Sequence, residues 1–179
     1  MARPWSRRAA SVAVVEAPAV PPVAVCRLSP SADLDRCVAI EAESHDHPWL
    51  VQDWRRVFKD PRHGGLVATA AGRAVGLLTY QLDGHDAVVS NLAVEAAWRR
   101  RGVGRALLGW MLGQPAATFN GERFVTAAGD VYLYCHEEDL GFQCFLRACG
   151  VRAVATYRRY YKTDGRDCIL FKARRQVAG

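Results

Sequence analysis

From residue 23 onward the apolar positions switch between a period of two and a period near 3.6, and the switches mark alternating strands and helices. Residues 23–28 read as a strand, and Ser31 is placed to cap a helix whose Leu34, Cys37 and Val38 share one face. A second helix is predicted from about Leu50 to Lys59, closed by Asp60 and Pro61. Apolar runs at 66–70 and 74–82 flank Ala71, Gly72 and Arg73 as a hairpin, and Asp83 and Gly84 turn the chain into a further strand at 87–94.

Helical spacing returns with Val103, Ala106, Leu107, Trp110 and Met111, ending near Gly113 and Pro115. Residues 116–129 follow neither period; the segment 114–130 reads as a long surface loop, with Glu122 and Asp130 as its candidate proton carriers. Beyond it come a strand at 131–135, a helix at 139–149 stopped by Gly150, and strands at 151–161 and 168–172 around the turn Thr163, Asp164, Gly165. The pattern predicts one mixed α/β domain over 23–175, with a central, mostly antiparallel sheet of about six or seven strands flanked by about four helices.

Composition adds boundaries. The chain has 179 residues, half of them hydrophobic, which suits one domain with a substantial core. Residues 1–22 carry Arg3, Arg7 and Arg8, an Ala/Val stretch and then Pro18, Pro21 and Pro22, so they are expected to be a disordered extension. The apolar stretch 9–15 is short for a signal peptide and ends at Glu16. Nothing approaches the roughly 20 apolar residues of a membrane span, and a cytoplasmic location is expected. Six cysteines without a CxxC pair or zinc-like histidine spacing read as reduced, buried thiols, and no metal is expected.

The formal charge of +6 favours acidic partners without naming one. Its densest part does more. Arg99, Arg100, Arg101, Gly102, Val103, Gly104 and Arg105 lie between a strand and an amphipathic helix. Glycine-freed backbone N–H groups, the positive helix end and the arginines converge there, as a phosphate ligand requires.

Arg99, Gly102 and Gly104, preceded by Asn91, Leu92, Ala93 and Val94, resemble the acyl-CoA signature of the GNAT acetyltransferase superfamily. Within it the chain is similar to the RimI-type N-α-acetyltransferases. His45 to Trp49 resemble that group's aromatic-proline loop, 145–154 its helix-to-strand segment, and Arg158 to Tyr161 with Gly165, Asp167 and Cys168 its Tyr-Tyr segment and last strand. The likeness runs from about 23 to 173. It implies acetyl-CoA as co-substrate, with Leu92, Ala93 and Val94 offering backbone groups to the acetyl and pantetheine portion. Arg99, Arg100, Arg101, Gly102, Val103, Gly104 and Arg105 would enclose the pyrophosphate. Asp139 stands where an asparagine usually meets the cofactor. The implied reaction is direct acetyl transfer to a primary amine, foremost a protein or peptide N-terminus.

By the same resemblance the family's glutamate base falls at Tyr134 and its tyrosine acid at Leu146. Tyrosine is a poor base at neutral pH and leucine carries no proton. An α-amine with a pKa of about 8 is roughly a tenth neutral at pH 7, so a missing base costs it only about 1.4 kcal/mol, but costs a lysine several. Transfer by proximity therefore survives for α-amines. Tyr134 is the candidate acid toward the leaving thiolate; Glu43, His45, Glu137 and Tyr161 are candidate bases through water. His47, Trp49 and Tyr161 are the candidate acceptor-site residues, with Tyr160 and Tyr161 expected to alternate in a strand. A catalytically degenerate acetyl-CoA-binding module and a small-molecule amine acetyltransferase remain as alternatives. Nucleic-acid binding lacks any recognisable motif.

Overall fold

The computed structural model describes residues 21–46, 48–113, 118–119, 122–123 and 129–174. In chain order its elements are β1 (Val23–Arg27), α1 (Pro30–Ala42), α2 (Val51–Lys59), β2 (His63–Ala70), β3 (Arg73–Asp83), β4 (Asp86–Val94), α3 (Val103–Gly113), β5 (Thr118–Phe119), β6 (Glu122–Arg123), β7 (Asp130–His136), α4 (Leu140–Ala148), β8 (Arg152–Tyr157) and β9 (Cys168–Arg174). Seven strands form one sheet in the order β1-β2-β3-β4-β7-β9-β8, and β5 pairs with β6 apart from it. Every pairing in the large sheet is antiparallel except β4 with β7. The expected mixed sheet with four flanking helices is present, and the expected extension 1–22 lies almost wholly outside the described residues.

Period-two alternation gives the sheet two buried faces. Val67, Leu77 and Ala93 are cross-strand partners, and all three join the core beneath α1 and α2 with Leu28, Cys37, Ile40 and Trp54. One residue away, Leu66, Leu78 and Leu92 form a rung on the opposite face, packed with Val103, Leu107, Leu108, Met111 and Leu146 of α3 and α4. A one-residue slip would exchange these faces, so the two helical layers fix the register of the central strands.

Helix α3 lies so close to β3 that a methyl group at Gly76 would meet Val103 Cγ1 at 2.8 Å and Leu107 Cδ1 at 3.3 Å. The missing side chain lets the motif helix settle on the sheet. At the far side of β3 the register with β4 shifts: Thr79 faces Asn91 but Tyr80 faces Val89, leaving Ser90 as an extra residue. This bulge bends β4 just before the segment that faces the cleft.

Three sequence expectations change. Helix α1 begins at Pro30 with Ser29 in the capping position, and the Ser29 N–H donates to Asp33 Oδ2 at 2.8 Å, so Ser31 is inside the helix. Strand β8 stops at Tyr157, where Arg158 and a left-handed Arg159 (φ 51°) turn the chain. Tyr160 and Tyr161 consequently do not alternate in a strand. Finally, Cys37, Cys135 and Cys168 are buried, but Cys26 and Cys144 are exposed thiols.

Gly76→Ala is expected to destabilise the fold by about 1–3 kcal/mol through overpacking beneath α3. A lowered urea midpoint at unchanged slope is the expected readout; an unchanged midpoint would show that α3 can lift without cost.

Candidate active site

Strands β4 and β7 pair in parallel over only three partners, Ala87 with Val131, Val88 with Tyr132 and Val89 with Leu133. Beyond Val89 they diverge. Into the gap opens a cleft of about 1520 Å³, lined by residues 89–94 on one side, 133–136 and α4 on the other, and the glycine-arginine turn at one end. The diverging end of β7 is held by α4: the Gln143 amide donates to the carbonyls of His136 (3.3 Å) and Glu137 (2.8 Å). Buried at 5% exposure, Gln143 substitutes for part of the missing strand contact.

At the motif end, Arg100 (φ 62°) and Gly102 (φ 85°) both take left-handed backbone, and α3 starts at Val103. The N–H groups of the first helical turn have no partner within the helix, and the residues that carry them line the cleft. Arg100, Gly102, Val103, Gly104 and Arg105 line it. A Cβ at Gly104 would press on Phe145 at 3.3 Å, so glycine also keeps that wall seated. Arg101 turns away and lies over the Trp98 ring at 5.7 Å. The acidic connector Glu95 is occupied by Arg73 at 2.7 Å and Arg36 at 3.3 Å, outside the cationic turn. Open backbone donors, two cleft-facing arginines and an apolar wall of Leu92, Phe142 and Phe145 fit a long ligand with phosphates at one end.

Arg99 has a different occupation from its neighbours. Its Nε donates to the Val94 carbonyl at 2.9 Å, and its Nη2 donates to the Glu43 carbonyl at 2.9 Å and Ser44 Oγ at 3.2 Å. The guanidinium therefore clasps the end of α1 to the end of β4. These contacts engage Nε and Nη2, so the guanidinium, which also lines the cleft, is held by α1 and β4 while its Nη1 N–H groups stand outside the clasp.

The end of the cleft away from the glycine-arginine turn is built around Tyr134. Its ring stacks on Tyr160 at 5.5 Å and 14° and lies 6.5 Å from Tyr157. Burial, then the neighbouring Tyr160 and Tyr157, raise its hydroxyl above the usual tyrosine range. It is suited to keep and donate a proton, and unsuited to be a base. Leu146 is fully buried in the core, so the cleft wall has no proton donor from that position.

Tyr161 lines the cleft with its ring 4.9 Å from His136, but its hydroxyl donates to Cys168 Sγ at 3.8 Å. Burial and Cys168 push that hydroxyl far above the usual range. Asp139 caps α4, its Oδ1 accepting from the Phe142 N–H at 2.9 Å. Its carboxylate is thereby spent on a helix start. Trp49 packs edge-on against the buried Trp54 at 5.2 Å and lines the cleft with its remaining surface. His47 lies outside the described residues. Glu43 and Glu137, candidate bases in the sequence, accept from the Ala96 N–H at 3.4 Å and the Asp167 N–H at 3.0 Å. Asp130 pairs with Lys172, and the side chain of Glu122 lies outside the described residues.

A group that sequence reasoning passed over sits at the floor. Glu41, 2% exposed, accepts from the Asn91 side-chain amide and from the Trp49 N–H at 3.2 Å, and Asn91 Oδ1 lies 3.2 Å from His45 Nε2. Glu41 falls seven, four and three positions after Leu34, Cys37 and Val38, on the apolar face of α1, and a lone acid in that stripe is the sequence signal for a buried, partnered carboxylate. Its partner on β4 shows only in the structure.

Arg99→Lys is expected to free the 43–46 segment, since an ammonium cannot span the three acceptors of the fork. Faster amide hydrogen exchange at Ser44 and His45, with the sheet unaffected, is the expected result; unchanged protection would show that the clasp is dispensable.

A family model of the acetyltransferase (GNAT) family matches residues 31–142. The chain is 28% identical over 147 residues to the N-α-acetyltransferase RimI of Mycobacterium tuberculosis, covering 79% of this chain and 86% of that protein. It is also 29% identical over 161 residues to an uncharacterized protein of Mycobacterium leprae, covering 87% of this chain but only 42% of that relative's length. Among solved structures, the ribosomal-protein-S18-alanine N-acetyltransferase of Escherichia coli superposes with a TM-score of 0.71 at 23% identity, over 88% of this chain and 96% of that one, a likeness of fold. With the family match covering most of the sheet and the whole glycine-arginine turn, the chain belongs to the acetyltransferase (GNAT) family, whose acetyl donor is acetyl-CoA.

Proposed function

We propose that the chain transfers the acetyl group of acetyl-CoA directly to a primary amine, foremost the α-amine of a protein or peptide N-terminus. The observation that carries this reading is the divergence of β4 and β7, which leaves the cleft-facing side of residues 90–94 without a strand partner. Backbone groups of Leu92, Ala93 and Val94 can then hold the pantetheine and acetyl portion as a strand would. Arg100 and Arg105, with the N–H groups from Gly102 to Arg105, take the pyrophosphate at the α3 N-terminus. Arg99 and Asp139 serve the donor site indirectly, by holding the loop and α4 in place.

The acceptor enters from the side of Trp49, Tyr161 and the tyrosine stack. Its neutral nitrogen attacks the thioester carbonyl; the new C–N bond forms, the C–S bond breaks, and the thiolate leaves. Tyr134 gives the sulfur its proton and takes one back from the adduct nitrogen, and its raised hydroxyl stays protonated throughout the neutral range. With Leu146 in the core, position 146 offers no phenol for that role. The relative named an N-α-acetyltransferase supports the α-amine class. So does the neutral fraction of an α-amine at pH 7, about a hundredfold above that of lysine. Transfer to a small-molecule amine is the second reading, favoured by the width of the cleft.

Titration calorimetry with acetyl-CoA, followed by thiol release on free N-terminal peptides, on N-blocked lysine peptides and on small amines, tests these statements. Free N-termini are expected to exceed blocked lysine peptides by about a hundredfold in kcat/KM at pH 7. Equal rates would remove the α-amine preference, and binding without turnover would leave an acetyl-CoA-binding module. Arg100→Ala with Arg105→Ala is expected to weaken acetyl-CoA at least about tenfold and leave acetyl-pantetheine unaffected. Tyr134→Phe is expected to lower kcat about tenfold or more by an amount constant from about pH 6 to 9, because the raised hydroxyl does not titrate there. A loss confined to one side of that range would assign Tyr134 a different role.

A further inference from the structure

We infer that His45 is the proton acceptor of the transfer reaction, with its proton-accepting nitrogen, Nδ1, selected by a buried Glu41–Asn91 pair. The inference rests on the acetyl-transfer reading above and supplies the base that Tyr134 cannot be.

The argument starts from a carboxylate that can only accept. Glu41 has one oxygen taken by the Trp49 N–H at 3.2 Å and the other by the amide of Asn91. Both residues of the pair are buried, at 2% and 8% exposure. An asparagine facing a carboxylate must present its NH₂ group to it. The carbonyl oxygen of Asn91 is thereby turned the other way, toward His45 Nε2 at 3.2 Å. A carbonyl accepts, so Nε2 must carry the hydrogen. In the neutral ring the lone pair then resides on Nδ1.

Three hydrogen bonds thus choose one tautomer, and the ring that they orient is exposed within the cleft, beside the stretch of β4 left open beyond Val89. Asn91 immediately precedes Leu92, the first of the backbone positions assigned to the donor. The charged and titratable groups sharing the cleft with the ring are Glu41 and Asp46 on its own side, Arg99, Arg100 and Arg105 on the motif side, and Tyr134, Cys135, His136, Asp139, Cys144, Tyr161 and Asp164 on the opposite wall. Arg99 is bound to main-chain oxygens, Asp139 to the α4 cap, and His136 to Asp164 at 3.2 Å. His45 alone among these combines an oriented ring with a free accepting nitrogen.

In the reaction, the acceptor ammonium gives one proton to Nδ1 of His45. The neutral amine attacks the thioester carbon, the adduct expels the thiolate, and the second nitrogen proton ends on sulfur, directly or through Tyr134. The His45 imidazolium returns its proton to solvent between turnovers. One ammonium and one thioester become one amide, one thiol and one released proton. His45 touches the amine; Asn91 and Glu41 are positioning residues.

Two substitutions separate this from a structural role. His45→Gln keeps a donor for Asn91 Oδ1 but has no basic nitrogen. Glu41→Gln preserves size, but it can satisfy Trp49 with its oxygen only by turning its NH₂ toward Asn91. The Asn91 amide then flips, its NH₂ faces His45, and the ring hydrogen moves to Nδ1. Long-range ¹H–¹⁵N spectra of the full chain are expected to show His45 as the Nε2–H tautomer in the wild type and as Nδ1–H in Glu41→Gln. With acetyl-CoA and a free N-terminal peptide, both variants are expected to lose about tenfold or more in kcat at pH 7. Acetyl-CoA affinity is expected to be unchanged in each variant. An Nδ1–H wild-type ring, or wild-type kcat in His45→Gln, would overturn the inference. If the wild type binds acetyl-CoA but acetylates no amine, the transfer reading itself fails and His45 loses its role with it. That result is distinct from turnover that ignores His45.

Discussion

Three rungs of parallel pairing between β4 and β7, and their abrupt end after Val89, are the constraint on which the rest of the molecule depends. Two strands that part in the middle of a sheet leave polar backbone groups that would each cost about 1–3 kcal/mol if buried unsatisfied. The molecule offsets this loss in different ways on the two sides. On β7, Gln143 reaches in from α4 to the carbonyls of His136 and Glu137. On β4, Arg99 takes the last carbonyl, that of Val94. What remains unclaimed is the stretch between, the side of β4 that lines the cleft. The cleft is a sheet left incomplete and braced at its two ends.

The brace divides the cleft by charge and by chemistry. Cleft-facing cations gather at the α3 N-terminus, and the one acid in the connector, Glu95, is tied off by Arg73 and Arg36. At the other end lie stacked phenols, an imidazole and carboxylates committed to caps and loops. Most of the acids near the acceptor side are thus spent as hydrogen-bond acceptors for backbone N–H groups, a use that organises loops without placing loose negative charge beside phosphate.

Much of this was readable before the structure. The Val67-Leu77-Ala93 and Leu66-Leu78-Leu92 rungs follow from alternation, and the glycine-arginine turn announced itself by residue type. Boundaries governed by backbone geometry were harder. Nothing in 151–161 signals that a left-handed Arg159 ends β8 early, because arginine is not a turn residue by preference. The direction of Arg99 was hidden for a related reason: its partners are main-chain carbonyls of Val94 and Glu43, which any sequence would provide. Glu41 and Asn91 were obscured by distance along the chain. A helix acid and a strand amide fifty positions apart form a unit only once α1 is laid across β4.

The Arg99 clasp has a consequence for how such a protein can diversify. Two of its three acceptors are carbonyl oxygens, present whatever side chains stand at positions 43 and 94. The loop that borders the proposed acceptor site is therefore held by carbonyl contacts that side-chain replacement within the loop cannot erase. Residues facing the acceptor are free to drift toward new amines while the donor half keeps its shape. One arginine in the donor signature makes substrate range evolvable without renegotiating the cofactor site.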